Sequence, residues 1–297
     1  MNKIKVGVIF GGQSTEHDVS IVSGSSVIKN LNKDKYDIYP IYISKDGKWY
    51  HYVKPVNEVE IFNIGEEPKE LESIKNEFET LKNQDIIFPV LHGLYGEDGT
   101  IQGLFELLKI PYVGCHVLAS SVGMDKVYAK IIFDKAKIKQ AKYEYIKKEG
   151  EQYFYVDKDF NEIKKDLKEI CKIIEYNLVY PMFVKPSNLG SSIGISKAKD
   201  KDSLKAAIEI AVQYDSRIIV EKGVENLKEI NCSALGFSED VKTSVCEEPV
   251  NWQEFLTFED KYLRGSKSTG NKLGSKNLDG TKILGSKQSG MENMDRR

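Results

Sequence analysis

Continuous apolar runs alternate with helical patterns over residues 4–113, and this alternation constrains the fold more than any other feature. The runs IKVGVIF (4–10) and DIIFPVL (85–91) are apolar along most of their length. Such runs are typical of strands that are buried on both faces, as in a parallel sheet covered by helices. The sequence therefore predicts a parallel α/β layer in its N-terminal part.

The remaining elements are predicted from caps, periodicity and turn residues. Thr15 and Asp18 stand at capping-box spacing, which predicts a helix from this point to 30–32. Helices are also predicted over 101–108, 124–136, 160–176 and 203–214, the last capped by Asp202 or Ser203, with a helical tendency over 57–83. Strands are predicted at 39–43, 49–53, 112–113, 143–147, 181–185, 194–198, 217–221 and 229–235.

The composition indicates a globular protein with no strong attraction to polyanions. Of 297 residues, 40% are hydrophobic, which is enough to fill cores, and the formal net charge is −2. No run approaches the ~20 apolar residues of a membrane span. We therefore predict a cytoplasmic protein with no membrane partner and no nucleic-acid partner. Four widely spaced cysteines predict free, buried thiols.

The stretch VKPSNLGSSIG (184–194) permits three interpretations. Its last five residues fit G-x-S-x-G, the nucleophile elbow of hydrolases, with Ser192 as the nucleophile. That elbow needs a helix directly after the serine and, in the usual order, a later histidine, but all four histidines precede Ser192. A loop of small residues also lets backbone N–H groups approach phosphate, with Lys185 as the cation. An ordinary hairpin loop is the third interpretation.

The segment 265–297 differs in character from the rest of the chain. It is rich in Gly, Ser and Lys, and LGSK occurs at 273–276 and again at 284–287. This composition predicts a mobile stretch without a packed core. Its basic charge raises RNA binding as an alternative, although interleaved aromatic residues, which would stack on bases, are missing.

Six blocks carry a resemblance to a known family. They are VIFGGQSTEHDVS (8–20), VLHGLYGEDGTIQGLFELLKIPYVG (90–114), MDK (124–126), FVKPSNLGSSIGISK (183–197), VEKGVENLKEINCSALG (220–236) and EFLTFEDKYLRG (254–265). In this order and spacing the chain resembles the D-alanine–D-alanine ligases of the ATP-grasp superfamily, from residue 4 to about 265.

The resemblance implies an α/β and α+β fold of the ATP-grasp type. An N-terminal parallel α/β domain (1–120) would precede a central ATP-grasp domain (121–217) and an incomplete C-terminal ATP-grasp domain (218–297), which includes the mobile stretch 265–297. The implied reaction joins two D-alanines through an acyl phosphate formed with ATP, for peptidoglycan precursor synthesis. A homodimer is also implied.

The resemblance implies an ATP site in which Lys126 and Lys185 contact the phosphates and Gly190, Ser191 and Ser192 form a small-residue flap over them. The implied hinge strand, with Glu221, Lys222 and Val224, would bind adenine. Glu229 would bind the ribose, and Lys261 would belong to the closing loop.

The substrate side would be built from five residues. Glu16 would pair the ammonium of the first D-alanine, and Tyr262 would cover the second while it links by hydrogen bonds to Ser191 and Glu16, so these three are the implied catalytic residues. His92 and Glu97 would line the substrate cavity. The sequence alone also allows a different role for each: Glu16 as a complement to a helix dipole, and His92 as a support for its own loop.

The chain also departs from the family pattern. The family's Asp, Glu and Asn ligands for two Mg²⁺ (or Mn²⁺) ions would follow the closing loop, and no such block occurs before Arg297. We therefore predict no metal ligand in this chain, and expect either a fragment, a natural truncation or an inactive nucleotide-binding remnant. A D-alanine–D-serine ligase is the alternative specificity.

Overall fold

The computed structural model describes residues 2–237, 239–249 and 286–288. The chain divides into two compact units, Met1–Gly223 and Val224–Arg297. The first unit contains two sheets, each covered by helices, and the second contains short hairpin strands.

The first sheet has the strand order β4-β3-β2-β1-β5. Its strands are β1 Ile4–Gly11, β2 Tyr36–Ile43, β3 Trp49–Tyr52, β4 Leu71–Ser73 and β5 Ile86–Pro89. The central strand β1 runs parallel to β2 and β5, which confirms the predicted parallel layer. Strands β3 and β4 add to it in antiparallel orientation. For β3 the reason is the turn at 44–48, which is too short for the crossover that a parallel strand requires.

The helices of this part are α1 His17–Asn30, α2 Glu77–Lys82, α3 Thr100–Leu108 and α4 Val117–Met124. The predicted capping box is wrong, since Glu16 occupies the N-cap of α1 and no side chain there caps the helix. The helical tendency over 57–83 is realised only in α2, where the Asn76 side chain accepts a hydrogen bond from Glu79 N. Tyr112 forms a single parallel bridge to Ile87.

Successive residues of β1 point into two separate cores. Val8 and Phe10 pack with Ile21 and Ile28 of α1 on one face of the sheet. Ile9 packs on the other face, in a cluster that includes Phe105 of α3. Burial on both faces explains why β1 reads as a continuous apolar run.

The second sheet is antiparallel and has the order β10-β9-β11-β6-β7-β8. Its strands are β6 Tyr143–Glu149, β7 Gln152–Val156, β8 Glu162–Lys165, β9 Met182–Pro186, β10 Ser196–Ala198 and β11 Arg217–Lys222. Helices α6 Leu167–Asn177 and α7 Lys201–Ala211 cover one face through a buried aliphatic cluster, and α5 Lys126–Lys135 lies in the same region.

Three helix boundaries differ from those predicted. The predicted helix 160–176 begins only at Leu167, where Asp166 and Glu169 form a capping box. The predicted helix 203–214 begins at Lys201, capped by Asp200. The predicted helix 124–136 begins at Lys126, because Asp125 has extended backbone and separates α5 from α4.

The second unit contains β12 Ala234–Phe237, β13 Asp240–Thr243, β14 Glu247–Pro249 and β15 Ser286–Gln288, which pair as β12-β13 and β14-β15. The predicted strand 229–235 is confirmed only at its end, since Asn231 makes just an isolated bridge to Glu247.

All four cysteines are free, but only Cys171 is buried, so the prediction of buried thiols is wrong for the other three. Across residues 2–237, 239–249 and 286–288, no helix is both long and apolar enough to cross a bilayer.

Candidate active site

The flap, residues 187–195, connects β9 to β10, so its two predicted flanking strands are confirmed. The first flap residue, Ser187, makes backbone hydrogen bonds to β11 and to α5. Its N–H donates to Arg217 O at 2.9 Å, and its carbonyl accepts from Lys126 N at 2.9 Å. Asn188 N donates to the Asp215 carboxylate at 2.8 Å. The root of the flap is therefore fixed to α5 and β11.

The tip of the flap has unusual backbone geometry. Ser191 and Ser192 have φ angles of 46° and 63°, in the left-handed region that favours glycine. The chain then enters β10 rather than a helix. The hydrolase elbow, which needs a helix at that point, is therefore not formed around Ser192.

Lys126 brings its ammonium to the flap from the first turn of α5. Its Nζ donates to the backbone carbonyl of Leu189. Burial and repulsion from Lys185 lower the pKa of Lys126 below the ordinary value of 10.5. A buried positive charge that is imperfectly compensated attracts an anion.

Glu221 on β11 lies between two lysines. Lys130 Nζ is 2.7 Å from Glu221 Oε1, and Lys185 Nζ pairs with Oε2. Burial alone would raise the pKa of Glu221, but the two ammoniums, Lys185 foremost, hold it below its ordinary value. Two cations and one carboxylate leave a surplus positive charge beside the flap.

Asp125 joins the flap root to α5. Its Oδ1 accepts from Val127 N and Tyr128 N, which caps the helix, and from Ser187 Oγ at 2.7 Å. Its Oδ2 lies 2.6 Å from the Arg217 guanidinium. The side chain is 6% exposed, so these contacts compensate a buried charge.

The carboxylates of this region offer little to a divalent cation. Both oxygens of Glu221 are paired with lysines, and both of Asp125 accept hydrogen bonds or an ion pair. Asp215 accepts from Asn188 N and Arg217 N. These three carboxylates therefore do not fit a magnesium site.

Glu16, at the start of α1, contacts the flap. It is 7% exposed, and its carboxylate accepts a hydrogen bond from Ser191 Oγ. A Cβ atom added at Gly93 would lie 2.4 Å from Glu16 Oε2, and one at Gly190 would lie 3.0 Å from it. The missing side chains of these glycines let the loop after β5 and the flap close around one carboxylate.

His92 and Glu97 support the loop that contacts Glu16. His92 Nε2 lies 2.7 Å from Ser23 Oγ, and its carbonyl accepts from Ser14 Oγ at 2.6 Å. Glu97 accepts from Gly93 N at 2.7 Å. A cavity of about 220 Å³ is lined by His92 and apolar residues of the same loop, together with Ile43, Trp49 and Leu104 from neighbouring elements.

The other predicted site residues are Lys222, Val224, Glu229, Lys261 and Tyr262. Lys222 ends β11 with its backbone N–H bonded to Lys142 O. Val224 and Glu229 belong to the second compact unit. Lys261 and Tyr262 lie outside the described residues.

Two family models match the chain: D-ala D-ala ligase N-terminus over residues 5–115, and D-ala D-ala ligase C-terminus over residues 132–276. The chain belongs to the D-alanine–D-alanine ligase family. Its fold is accordingly ATP-grasp, and the family is ATP-dependent and uses a divalent metal.

Relatives of this family resemble the chain along most of its length. The D-alanine–D-alanine ligases of Acetivibrio thermocellus and Clostridium novyi are 44% and 46% identical over 289 and 264 residues, which span 89% and 88% of this chain and 73% and 72% of theirs. The VanG D-Ala:D-Ser ligase structure from Enterococcus faecalis is 37% identical with a TM-score of 0.68, covering 83% of this chain and 70% of its own.

The ion pairs and hydrogen bonds at the flap root and at Glu221 use residues that the family motifs did not single out, although Asp125 and Ser187 stand within the blocks 124–126 and 183–197. Asp125, Lys130, Ser187, Asp215 and Arg217 were not predicted as site residues. Lys130 could have been found, because it is four residues after Lys126 and so lies on the same face of α5. The pairings of Asp125 and Asp215 with residues of β11 and the flap depend on strand register, which the sequence does not reveal.

Proposed function

We propose that this protein ligates two D-alanines to D-alanyl-D-alanine with ATP, through an acyl phosphate, in peptidoglycan precursor synthesis. The observation that carries the proposal is the hydrogen bond from Ser191 on the flap to buried Glu16, in a flap whose Leu189 carbonyl accepts from Lys126 and which follows the strand that carries Lys185. It joins a flap suited to phosphate with a carboxylate suited to an amino-acid ammonium.

The chemistry assigned to these residues is electrostatic. Lys126, Lys185 and the flap N–H groups would hold the triphosphate and stabilise the charge that develops during phosphoryl transfer. Glu16 would bind the ammonium of the first D-alanine and so place its carboxylate for phosphorylation. The amine of the second D-alanine would then attack the acyl phosphate, and phosphate would leave.

The remaining predicted roles are part of the same proposal. Glu221, Lys222 and Val224 would bind adenine, with Glu221 using its backbone because its carboxylate is paired with lysines. Glu229 would bind ribose, and the loop with Lys261 and Tyr262 would close the site. We further propose the three domains at 1–120, 121–217 and 218–297, a homodimer and a cytoplasmic location.

A divalent ion bound with ATP would neutralise phosphate charge. The carboxylates of Glu221, Asp125 and Asp215 do not fit such an ion, so no step is assigned to it in this chain.

The test is phosphate release from ATP and magnesium with D-alanine, combined with mass spectrometry of the product. We expect release that depends on D-alanine and not on L-alanine, and a product with the mass of the dipeptide. ATP hydrolysis that is independent of D-alanine would overturn the ligase proposal.

The second candidate is a D-alanine–D-serine ligase, which the VanG relative favours. Offering D-alanine with D-serine in equal amounts separates the two specificities, because the mixed dipeptide differs in mass from D-alanyl-D-alanine.

A further inference from the structure

We propose that Lys130 is a positioning residue for nucleotide binding: it keeps Glu221 neutralised so that Lys185 is free to leave Glu221 for an incoming phosphate. This inference rests on the proposed function, because it assigns Lys185 to the phosphates. Lys130 itself would not contact the nucleotide.

The two lysines that pair with Glu221 differ in their exposure to solvent. Lys130 Nζ lies 2.7 Å from Oε1, and the two side chains are 12% and 13% exposed. Lys185 pairs with the other oxygen and is 26% exposed. The more accessible lysine is therefore the one placed to exchange its partner.

Lys130 is held where it is by other groups. Its ammonium lies 3.4 Å from Gln140 Oε1 and 3.3 Å from Ala141 O, and 5.1 Å from the centre of the Tyr143 ring. Together with Glu221 these acceptors engage the three N–H donors of the ammonium. Lys130 therefore has no donor left for a phosphate.

The exchange depends on charge balance around a buried carboxylate. If Lys185 were the sole counterion of Glu221, its departure would leave an unpaired charge on a side chain that is only 13% exposed, which is strongly unfavourable. With Lys130 on the second oxygen, Glu221 stays paired after Lys185 turns to phosphate. Lys126, whose pKa burial lowers, adds a second positive group for the same anion.

The first experiment measures the dissociation constant of ADP with magnesium by calorimetry on the full chain. We expect Lys130→Met to weaken binding about tenfold, and Lys130→Arg, which keeps the charge, to stay within about threefold of wild type. The control Lys205→Met, which removes an exposed lysine that pairs with Glu209 at 3.8 Å, should change binding by less than about twofold.

A double-mutant cycle with Glu221→Gln gives the decisive comparison. Once residue 221 is neutral it needs no counterion, so Lys130→Met should change ADP binding by less than about twofold in that background. Binding by Lys130→Met that equals wild type, or an equal loss in both backgrounds, would overturn the inference. The double variant also serves if Lys130→Met alone does not fold.

Thermal unfolding without nucleotide separates this inference from the proposed function. Wild-type protein that fails to bind ADP would refute the proposed function and, with it, the phosphate role of Lys185. The charge pairing is then tested alone: Lys130→Met should lower the melting temperature more in wild type than in Glu221→Gln. Equal lowering in both would overturn the pairing as well.

Discussion

The hydroxyl of Ser191 donates a hydrogen bond to the carboxylate of Glu16, although the two residues are 175 positions apart. Ser191 lies at the flap tip in left-handed conformation, and Glu16 is the N-cap of α1 and almost fully buried. A buried carboxylate needs donors, and this one receives its donor from the flap. This hydrogen bond therefore couples the position of the flap to the carboxylate on the substrate side.

Replacing Ser191 with alanine removes this donor and leaves Glu16 less compensated. Hydrogen bonds to charged groups contribute about 1.5–3 kcal/mol, so we expect the rate of dipeptide formation to fall roughly tenfold to a hundredfold. Ser44→Ala, in an exposed turn, is the control and should leave the rate unchanged. A Ser191→Ala protein with the wild-type rate would show that the contact does not serve the reaction.

Lys126→Met should stabilise the protein while it weakens ATP binding. The pKa of Lys126 is lowered by burial and by Lys185, so the unfolded chain holds this proton more tightly than the folded one. Charging Lys126 therefore costs folding free energy at pH 7, and methionine removes that cost. We expect a higher melting temperature, with ATP affinity lower by about tenfold or more.

The pH dependence of unfolding tests whether charging Lys126 costs folding free energy. As the pH rises through the folded-state pKa towards 10.5, Lys126 loses its proton in the native state, and the stability advantage of the methionine variant should disappear. Lys135→Met, at an exposed position of the same helix, should show no such dependence. A variant less stable than wild type at pH 7 would contradict the prediction.

The sequence predicts secondary-structure elements well where a local residue pattern defines them. It predicts them poorly where pairing with another strand determines the structure. Strand β1 is identifiable because both its faces are buried. By contrast, residues 162–165 (EIKK) continue the amphipathic pattern of α6, yet they form β8 because a turn centred on Asp157 returns the chain antiparallel to β7. That turn outweighs local helix propensity.

The candidate site shows the same division. Lysines and glycines were predicted because they fall in recognisable motifs. The Lys130–Glu221–Lys185 cluster and the Asp125–Arg217 pair join α5 to neighbouring strands of the second sheet, and only the register of those strands brings them together. Motifs therefore indicate which groups are candidates for ligand contact, but not which neighbouring groups position those candidates.

Gly11→Ala should be far more destabilising than Gly65→Ala, although both glycines have similar positive φ angles of 90° and 83°. At Gly11 a Cβ would lie 2.2 Å from the backbone oxygen of Ile43, which Gly12 N also contacts, whereas at Gly65 nothing lies within 4 Å. We expect a loss of about 1–2 kcal/mol at residue 65 from backbone strain.

At residue 11 the steric conflict adds to the strain, and we expect a total loss above roughly 3 kcal/mol. Urea unfolding of the two variants measures the difference. Because residues 11 and 12 lead into Glu16, Gly11→Ala should also lower the ligation rate. Equal losses of unfolding free energy in the two variants would show that the backbone at the end of β1 can move away from Ile43.

Asp125→Asn tests whether the flap root depends on charge rather than on helix capping. Asparagine caps helices as well as aspartate does, so the hydrogen bonds to Val127 N and Tyr128 N can persist. The amide would, however, remove the negative charge from the 2.6 Å contact with Arg217. Breaking a buried pair is expected to cost about 3 kcal/mol of unfolding free energy.

Asp166→Asn is the matched control, because Asp166 caps α6 through its side chain as Asp125 caps α5. We expect Asp166→Asn to change the urea midpoint little, and Asp125→Asn to lower it clearly and weaken ATP binding. Similar small effects at the two positions would mean that Asp125 acts only as a cap. The flap root would then be held by the backbone bonds of Ser187 and by Asp215, with no contribution from the Arg217 charge.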